Sequence, residues 1–385
     1  MKRHKAFRSV PFLLPFLLFF AIPSLPDERV EIHSIRYFTH PSYTRIVIDV
    51  GELREYIYNR LKSPDRIYVD IYQAKLNPLL QEKTILVQND SLSQIRVAHK
   101  TRSTVRIVAD LDLDISYFRV WHLPDPFRII IDIHPSKFYR PSQPPSKNIS
   151  IIRQLGLGIQ RVVIDPGHGG KDPGCIGKNG LQEKNVVLDV SKRLKKLIES
   201  NKDLEATLTR ETDVFIPLEN RTVISDQKPA DLYLSIHANA TRNRKLSGVE
   251  TFYLNISNDP SIMEKAAREN ATSAKNISEM KETLEKIVQY TKIEESINLA
   301  KYIQNNLVRC LSQKYSNVKN LGVKGGPFLV LIGEDVPSVL VEISFLSNPT
   351  EEKRLRSTQY RQRIAQGIYE GIIAFKHSLE KGTVQ

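Results

Sequence analysis

Four residues of this chain are of types that do chemistry, at points where a fold could bring them together. His168 lies in Pro166-Gly167-His168-Gly169-Gly170, directly after the short apolar run Arg161-Val162-Val163-Ile164-Asp165. Glu183 stands just before a helical stretch that starts near Asn185. His237 follows the strand-like Asp231-Leu232-Tyr233-Leu234-Ser235-Ile236 and precedes Ala238-Asn239-Ala240. Glu342 is embedded in Ser338-Val339-Leu340-Val341-Glu342-Ile343. Of nine histidines, only His168, His237 and His377 lie beyond residue 157, and two of these sit at strand ends. Each alone reads as a loop histidine bonded to a backbone carbonyl. Together with a carboxylate they fit a His₂Glu zinc site, with three protein ligands and one open position. The glycines around His168 let the backbone come close to a metal and adopt positive φ. The separations of 15 residues (168 to 183) and 54 residues (183 to 237) match no short zinc motif such as H-E-x-x-H. A phosphate cradle is not indicated. The loop lacks G-x-x-x-x-G-K-[ST], and Gly156-Leu157-Gly158 lacks the third glycine of a dinucleotide fingerprint.

Glu342 is the second anomaly. A carboxylate flanked by Val339, Leu340, Val341 and Ile343 costs free energy to desolvate unless it is paired or protonated. Alternation along a strand allows an outward-facing residue. The functional reading is a general base with a pKa raised by burial, beside a metal-activated water.

These residues need elements to hold them. From about residue 158 the chain alternates strands (161–165, 206–209, 231–236, 249–254, 338–343) with helices (186–200, 297–311, 364–379), and Asn348-Pro349 reads as an N-cap followed by proline at the first helical position. That order is an α/β layer fold, a mixed sheet flanked by helices, in which reactive groups collect at strand ends. Residues 28–136 read differently. Thr44–Val50, Arg66–Ile71, Thr104–Ala109 and Phe127–Ile133 are Ile-, Val- and Tyr-rich strands separated by polar turns, with no comparable helical period. They predict a small all-β sandwich domain. Arg-Ile-Val-Ile-Asp and Arg-Ile-Tyr-Val-Asp-Ile recur as Arg-Ile-Val-Ala-Asp and Arg-Ile-Ile-Ile-Asp-Ile, which suggests an internal duplication. Between the two parts, 137–157 is proline-rich and polar, a semi-rigid tether expected to hold the domains apart.

Composition bounds the partners. The chain has 385 residues, enough for two domains, with 41% hydrophobic and 26% charged residues, which excludes wholesale disorder. A formal net charge of +13 suits either a solvated basic surface or an acidic polymer as partner. No helix-turn-helix, zinc finger or RNA-binding aromatic signature points to nucleic acid. Lys2, Arg3, Lys5 and Arg8 precede the apolar run Val10–Ile22, so residues 1–26 read as a secretory signal peptide or, if uncleaved, a membrane anchor. The rest is expected to be exported, with membrane contact only through that segment. Cys175 and Cys310 are expected to remain unpaired thiols.

The second part resembles a known family. Val162–Gly174, Leu181-Gln182-Glu183-Lys184, Thr209-Arg210, Arg221-Thr222, Ser235–Ala240, Gly248–Thr251 and Val339–Asn348 are similar to the zinc-dependent N-acetylmuramoyl-L-alanine amidases of the amidase-3 type, over residues 158–381. The β region resembles the AMIN domain that precedes such enzymes. The resemblance implies Zn²⁺ on His168, Glu183 and His237, with Glu342 as catalytic base. It implies hydrolysis of the amide between N-acetylmuramic acid and the L-alanine of the peptidoglycan stem peptide, in the periplasm or cell envelope, for wall remodelling or daughter-cell separation. Arg221 and Asn239 are expected to support the ligands or touch substrate. The chain departs from the commoner pattern at Cys175 and Ser344. Two other functions fit the residues less well: a zinc carboxypeptidase or endopeptidase on the stem peptide, and a wall-binding protein without activity. Because the chemistry lies beyond the tether, the β domain is expected to bind envelope polymer and to contribute no catalytic group. Hydrolysis of soluble fragments is expected to survive its removal.

One segment is longer than a connection needs to be. Residues 258–291 link the strand at 249–254 to the helix near Ile297, and connections above about 15 residues are uncommon in compact domains. Met263, Ala266, Ala267 and Asn270 fit one helical stripe, and Met280, Leu284, Ile287 and Val288 fit another. Some amidases of the family carry an inserted helix here, whose glutamate fills the open zinc position until a protein activator displaces it. By that resemblance Glu269 is the candidate plug and Glu264 the alternative.

Overall fold

A computed structural model describes residues 29–136 and 159–380, apart from 40–42, 53, 82, 88–91, 113, 124–125, 228–229, 272–273, 280, 282–283, 285–287, 289–291 and 333–335. The expected signal segment 1–26 and the tether 137–157 lie outside the described residues. Among the described residues, no helix is long and apolar enough to cross a membrane.

The N-terminal domain is a sandwich of two five-stranded sheets. One has β5 (Ala74–Leu76), β1 (Val30–Thr39), β2 (Thr44–Val50), β10 (Arg128–Pro135) and β9 (Ile115–Leu123) in that order. The other has β3 (Tyr56–Leu61), β4 (Arg66–Tyr72), β8 (Thr104–Leu111), β7 (Leu92–Thr101) and β6 (Thr84–Leu86). Alternation builds the core. Ile46, Ile48, Ile129 and Ile131 point inward from the first sheet against Ile67, Val69, Val105 and Ile107 of the second. The suspected duplication appears in the register. In antiparallel pairs Arg45 lies opposite Asp132 and Asp49 opposite Arg128, while Arg66 lies opposite Asp110 and Asp70 opposite Arg106. Each sheet therefore carries the same crossed Arg/Asp arrangement on its outer face.

The outer faces have different fates. On the second sheet the Arg106–Asp70 pair stands beside solvent, with the arginine side chain 31% exposed. On the first sheet Arg45 is 1% exposed, and every residue of β10 is buried. The second part of the chain covers that face. Val47, Trp121, Leu123 and Ile130 share an apolar cluster with Val163, Tyr233, Phe252, Leu331 and Leu340. The expectation that the tether holds the domains apart is corrected here. Burying this apolar face outweighs the freedom that a linker leaves. Asp132 reports the burial. Its loss of solvent opposes ionisation, but the Arg45 guanidinium at 2.6 Å overrides this and holds the carboxyl down at about 2. A carboxylate more acidic in the fold than in the open chain (about 3.9) stabilises the fold fully above that value and loses the contribution as pH falls toward the folded value. Stability measured by denaturant midpoint is therefore expected to drop between about pH 4 and 2, and less so in Asp132→Asn, in which this group no longer titrates.

The catalytic-type domain has one six-stranded sheet, in the order β12 (Glu205–Leu208), β11 (Arg161–Pro166), β13 (Leu232–Asn239), β16 (Ser338–Phe345), β14 (Val249–Leu254) and β15 (Asn320–Gly326). β12, β11, β13 and β16 run parallel, while β14 is antiparallel to β16. Helices α1 (Glu183–Glu199), α5 (Ile293–Ser312) and α7 (Thr358–Glu380) cover one face through Val186, Val190, Leu194, Leu299, Ile303, Ile364, Ile368 and their neighbours. The other face carries the β domain together with α2 (Leu218–Gln227), α3 (Pro260–Glu269) and α4 (Ala274–Glu279). α6 (Pro349–Arg356) starts as expected: the Asn348 side chain accepts from the Thr350 and Glu351 amides, and Pro349 opens the helix. Parallel strands ending at one edge place the loops after β11, β13 and β16 side by side, and the site lies there.

Candidate metal centre

Register fixes the frame. Pro166 at the end of β11 pairs with Ile236 of β13, and His237 pairs with Glu342 of β16, which in turn lies opposite Glu250 of β14. His168 follows β11 by two residues. Its backbone takes φ +60°, uncommon for a residue with a Cβ and a mark of a conformation imposed from outside. Arg221 supplies part of that force, donating to the His168, Pro166 and Ile216 carbonyls at 2.9–3.0 Å and to Asp165 at 2.8 Å. Arg210 adds bonds to the Pro166 and Gly167 carbonyls. Gly167 is required by space, since a Cβ there would lie 2.3 Å from the His237 ring. Gly174, at φ +64°, would bring a Cβ 2.6 Å from His168 and 2.7 Å from Glu183.

Around this loop His168, Glu183, His237 and Glu269 converge, each offering a ligand atom within 4.8 Å of the others. His168 Nε2 lies 3.2 Å from Glu183 Oε1 and from Glu269 Oε2. His237 Nδ1 lies 3.1 Å and 2.9 Å from the same two atoms. A tetrahedron with bonds of about 2.0–2.1 Å has edges of about 3.3 Å, so the spacing suits zinc. His168 Nε2 and Glu269 Oε2 are buried without a hydrogen-bond partner, as ligand atoms aimed at one point would be. The other atoms are held. Asp172 faces His168 Nδ1 at 2.8 Å, and Glu183 accepts from the Ala238 and Cys175 amides, both at 2.8 Å.

The electrostatics of the protein alone agree. Burial disfavours charge on His168, yet Glu183, Asp172 and Glu269 lift it well above the ordinary imidazole range. Burial likewise opposes His237, but Glu269 and Glu183 raise it to about 9. Burial pushes Glu183 and Glu269 up, and His168 and His237 respectively more than reverse this. The two carboxylates thus make a negative field at the point where the imidazole nitrogens converge, which favours a cation there. Glu342 is the exception. It is wholly buried, neither carboxylate oxygen has a partner, and burial followed by the Glu269 charge pushes it well above the usual range. Its alternative as an outward-facing strand residue is excluded.

Glu269 reaches the cluster from the inserted segment. It closes α3, whose buried side is Ile262, Ala266, Ala267 and Glu269. Glu264 is exposed on the same helix. Lys265 pairs with Glu250, which Lys324 also contacts at 2.7 Å. Arg268 donates to the Ala240 carbonyl at 2.6 Å, to Asn239 Oδ1 at 3.0 Å and to Glu269 at 3.0 Å. Asn270 bonds Pro327 O and Leu329 N. Asn239 also donates to Glu250 at 2.7 Å, so it braces the floor beneath α3. In the second stripe Leu284 is buried and Val288 half-buried, while Met280 and Ile287 lie outside the described residues. Both cysteines are free: Cys175 is half-buried, its thiol raised by burial and by Glu183, and Cys310 is buried in α5. Ser344 donates to Glu351, away from the ligands. In the sequence Asp172, Arg210 and Glu250 stood within the motif stretches without a role of their own, and Lys265 and Arg268 were not marked at all. Only the i, i+4 spacing of His168 and Asp172 carried a local signal.

The family model described as N-acetylmuramoyl-L-alanine amidase matches residues 162–374, and the AMIN domain model matches 34–120. The chain is 29% identical over 377 residues to the N-acetylmuramoyl-L-alanine amidase AmiC of Escherichia coli, covering 90% of this chain and 89% of the relative. It is 37% identical over 229 residues to AmiA of the same species, covering 57% and 77%. A crystal structure of an N-acetylmuramoyl-L-alanine amidase from Clostridium difficile aligns at 27% identity and a TM-score of 0.45, over 57% of this chain and 98% of the other.

Proposed function

This chain belongs to the N-acetylmuramoyl-L-alanine amidase family, and from that premise we propose that it is an exported peptidoglycan hydrolase whose zinc site rests closed. It cleaves the amide between N-acetylmuramic acid and the L-alanine of the stem peptide. His168, Glu183 and His237 would hold the ion, Glu269 would be a further, occupying ligand, and Glu342 is the base. The observation that carries this reading is the convergence of four ligand atoms at one point, with an unpartnered carboxylate in the adjoining strand.

Zinc bound there would polarise the scissile carbonyl and acidify a water. The remaining work falls to the chain. Glu342, with no hydrogen bond to lose, accepts the proton of the attacking water and delivers it to the departing nitrogen. Asp172 fixes the ring of His168, and the Ala238 and Cys175 amides fix the carboxylate of Glu183. Arg221 and Asn239 act from behind these groups rather than on substrate. The presence of His168, Glu183 and His237 together with Glu342 favours an active enzyme over a wall-binding protein without activity.

Glu269 sits where water and substrate must enter, so a protein activator that draws α3 away would switch the enzyme on. The latch it must release is the set Lys265–Glu250, Arg268–Ala240 and Asn270–Pro327. Glu269→Ala is expected to raise basal release of peptide from purified sacculi by about tenfold or more, because the open state no longer competes with an internal ligand. Unchanged or lower basal hydrolysis in a well-folded Glu269→Ala protein would overturn the closed-site reading.

A further inference from the structure

We infer that the N-terminal β domain is part of the scaffold of the metal site: Arg45 and Arg128 grip helix α2, and α2 carries the Arg221 that holds the His168 loop in place.

The contacts form one buried series. On the β domain, Asp132 binds Arg45 through two bonds of 2.6 and 3.0 Å and also accepts from Trp121 Nε1 at 3.1 Å. Arg45 Nη1 then crosses the domain boundary, donating to the Glu219 carbonyl at 3.0 Å and to the Thr222 hydroxyl at 2.8 Å. Arg128 reaches the Glu219 carboxylate at 2.6 Å, and Arg36 contacts its other oxygen at 3.3 Å. Glu219 has no exposed side-chain surface. Two residues further along the same helix, Arg221 is 3% exposed and bonds Asp165 and the carbonyls of Pro166 and His168. Asp165 is itself fixed by Thr209 and Ser235. His168 takes a positive φ in this grip.

The duplicated second sheet supplies the comparison. Arg106 occupies the position in β8 that Arg128 occupies in β10, and it bonds its cross-strand partner Asp70 at 2.6 Å. Arg128 does not keep that arrangement. Its opposite residue, Asp49, is taken by Arg36 and Ser34, and the Arg128 guanidinium turns outward to Glu219. The same framework therefore presents a self-contained ion pair on one face and, on the other, a pair opened to grip another domain. Buried charges are tolerated only when paired, so removing either partner strands the other at the base of α2. α2 buries polar residues, Glu219, Arg221, Thr222 and Ser225, beside the apolar Val223, so much of its hold on its surroundings is through directed hydrogen bonds. On this inference removal of the β domain would weaken hydrolysis, the opposite of what the position of the chemistry beyond the tether alone leads one to expect.

The effect on zinc rests on the reading of His168 as a ligand, whereas the mechanical coupling does not, and the test separates them. In the full chain, Arg128→Ala, Glu219→Ala, the double variant and the sister control Arg106→Ala are compared by amide hydrogen exchange at Gly169 and Asp172, which bond each other's carbonyls in the loop, and by chelator competition for Zn²⁺. Each single variant is expected to speed exchange at these two amides by about tenfold, the double variant no more than the faster single, and Arg106→Ala not at all. Zinc affinity should fall in step. If Glu219→Ala does not fold, Thr222→Val, which removes only one acceptor of Arg45, is read the same way. Unchanged loop exchange in the singles, additive effects in the double, or an equal change in Arg106→Ala would overturn the inference. Faster exchange in a chain whose unmutated form binds no zinc would leave the coupling standing and sink the metal reading instead.

Discussion

Glu342→Gln is expected to bind zinc as the unmutated chain does and to lose turnover by about 10²–10⁴-fold. The side chain is fully buried in β16 beside His237, and neither of its oxygens is committed to a hydrogen bond. Glutamine keeps the shape, so packing is preserved. What is removed is the capacity to take a proton, and burial had already made that carboxyl a stronger base than a solvated one. The loss should appear in kcat rather than KM, because the group acts on the proton in flight and not on the wall polymer. The measurement is steady-state hydrolysis in a background that carries Glu269→Ala, with zinc content determined in parallel. A near-unmutated rate would remove Glu342 from the chemistry.

The second large effect concerns the ligands. His168→Ala, Glu183→Ala and His237→Ala should each weaken zinc binding by more than about a hundredfold and abolish hydrolysis, since losses of 10–100-fold already follow from disturbing groups that merely orient ligands. Glu269→Ala must behave oppositely: it removes a fourth donor, so zinc binds somewhat less tightly while activity rises. This opposition separates three working ligands from one occupying ligand, although all four atoms are within 4.8 Å of each other. Zinc content by elemental analysis, read beside melting temperature, distinguishes a lost ligand from a lost fold. Full zinc content in any of the three histidine or glutamate variants would show that the ion sits elsewhere.

The elements that position the site were largely legible where apolar periodicity carries them. β2 and β14 run over the expected residues, Thr44–Val50 and Val249–Leu254. β13 and β16 extend two or three residues past their expected ends, into His237-Ala238-Asn239 and Ser344-Phe345, where the buried polar side chains find protein partners, Glu250 and Arg268 for Asn239 and Glu351 for Ser344, so polarity there does not end the strand. α2 was missed for a related reason. Its buried residues include Glu219, Arg221, Thr222 and Ser225, so no hydrophobic stripe marks it. The docking of the β domain had a signal that alternation alone did not interpret. Val47 and Ile130 stand among Arg45, Asp49, Arg128 and Asp132 on the outer face of β2 and β10, and alternation alone does not show whether those charges meet solvent or another domain. The proposed ligands His168 and His237 were visible as histidines at strand ends. Glu269 was visible only through family resemblance, since one glutamate on an amphipathic helix looks like any other until the helix is seen to aim it.

The most direct test of the zinc amidase account is product analysis of purified sacculi digested with the Glu269→Ala chain, first with its metal, then after chelation, then after zinc is restored. The account expects intact stem peptides with a free L-alanine amino group, released only when zinc is present. Peptides cut within the stem, or release that persists through chelation, would contradict it.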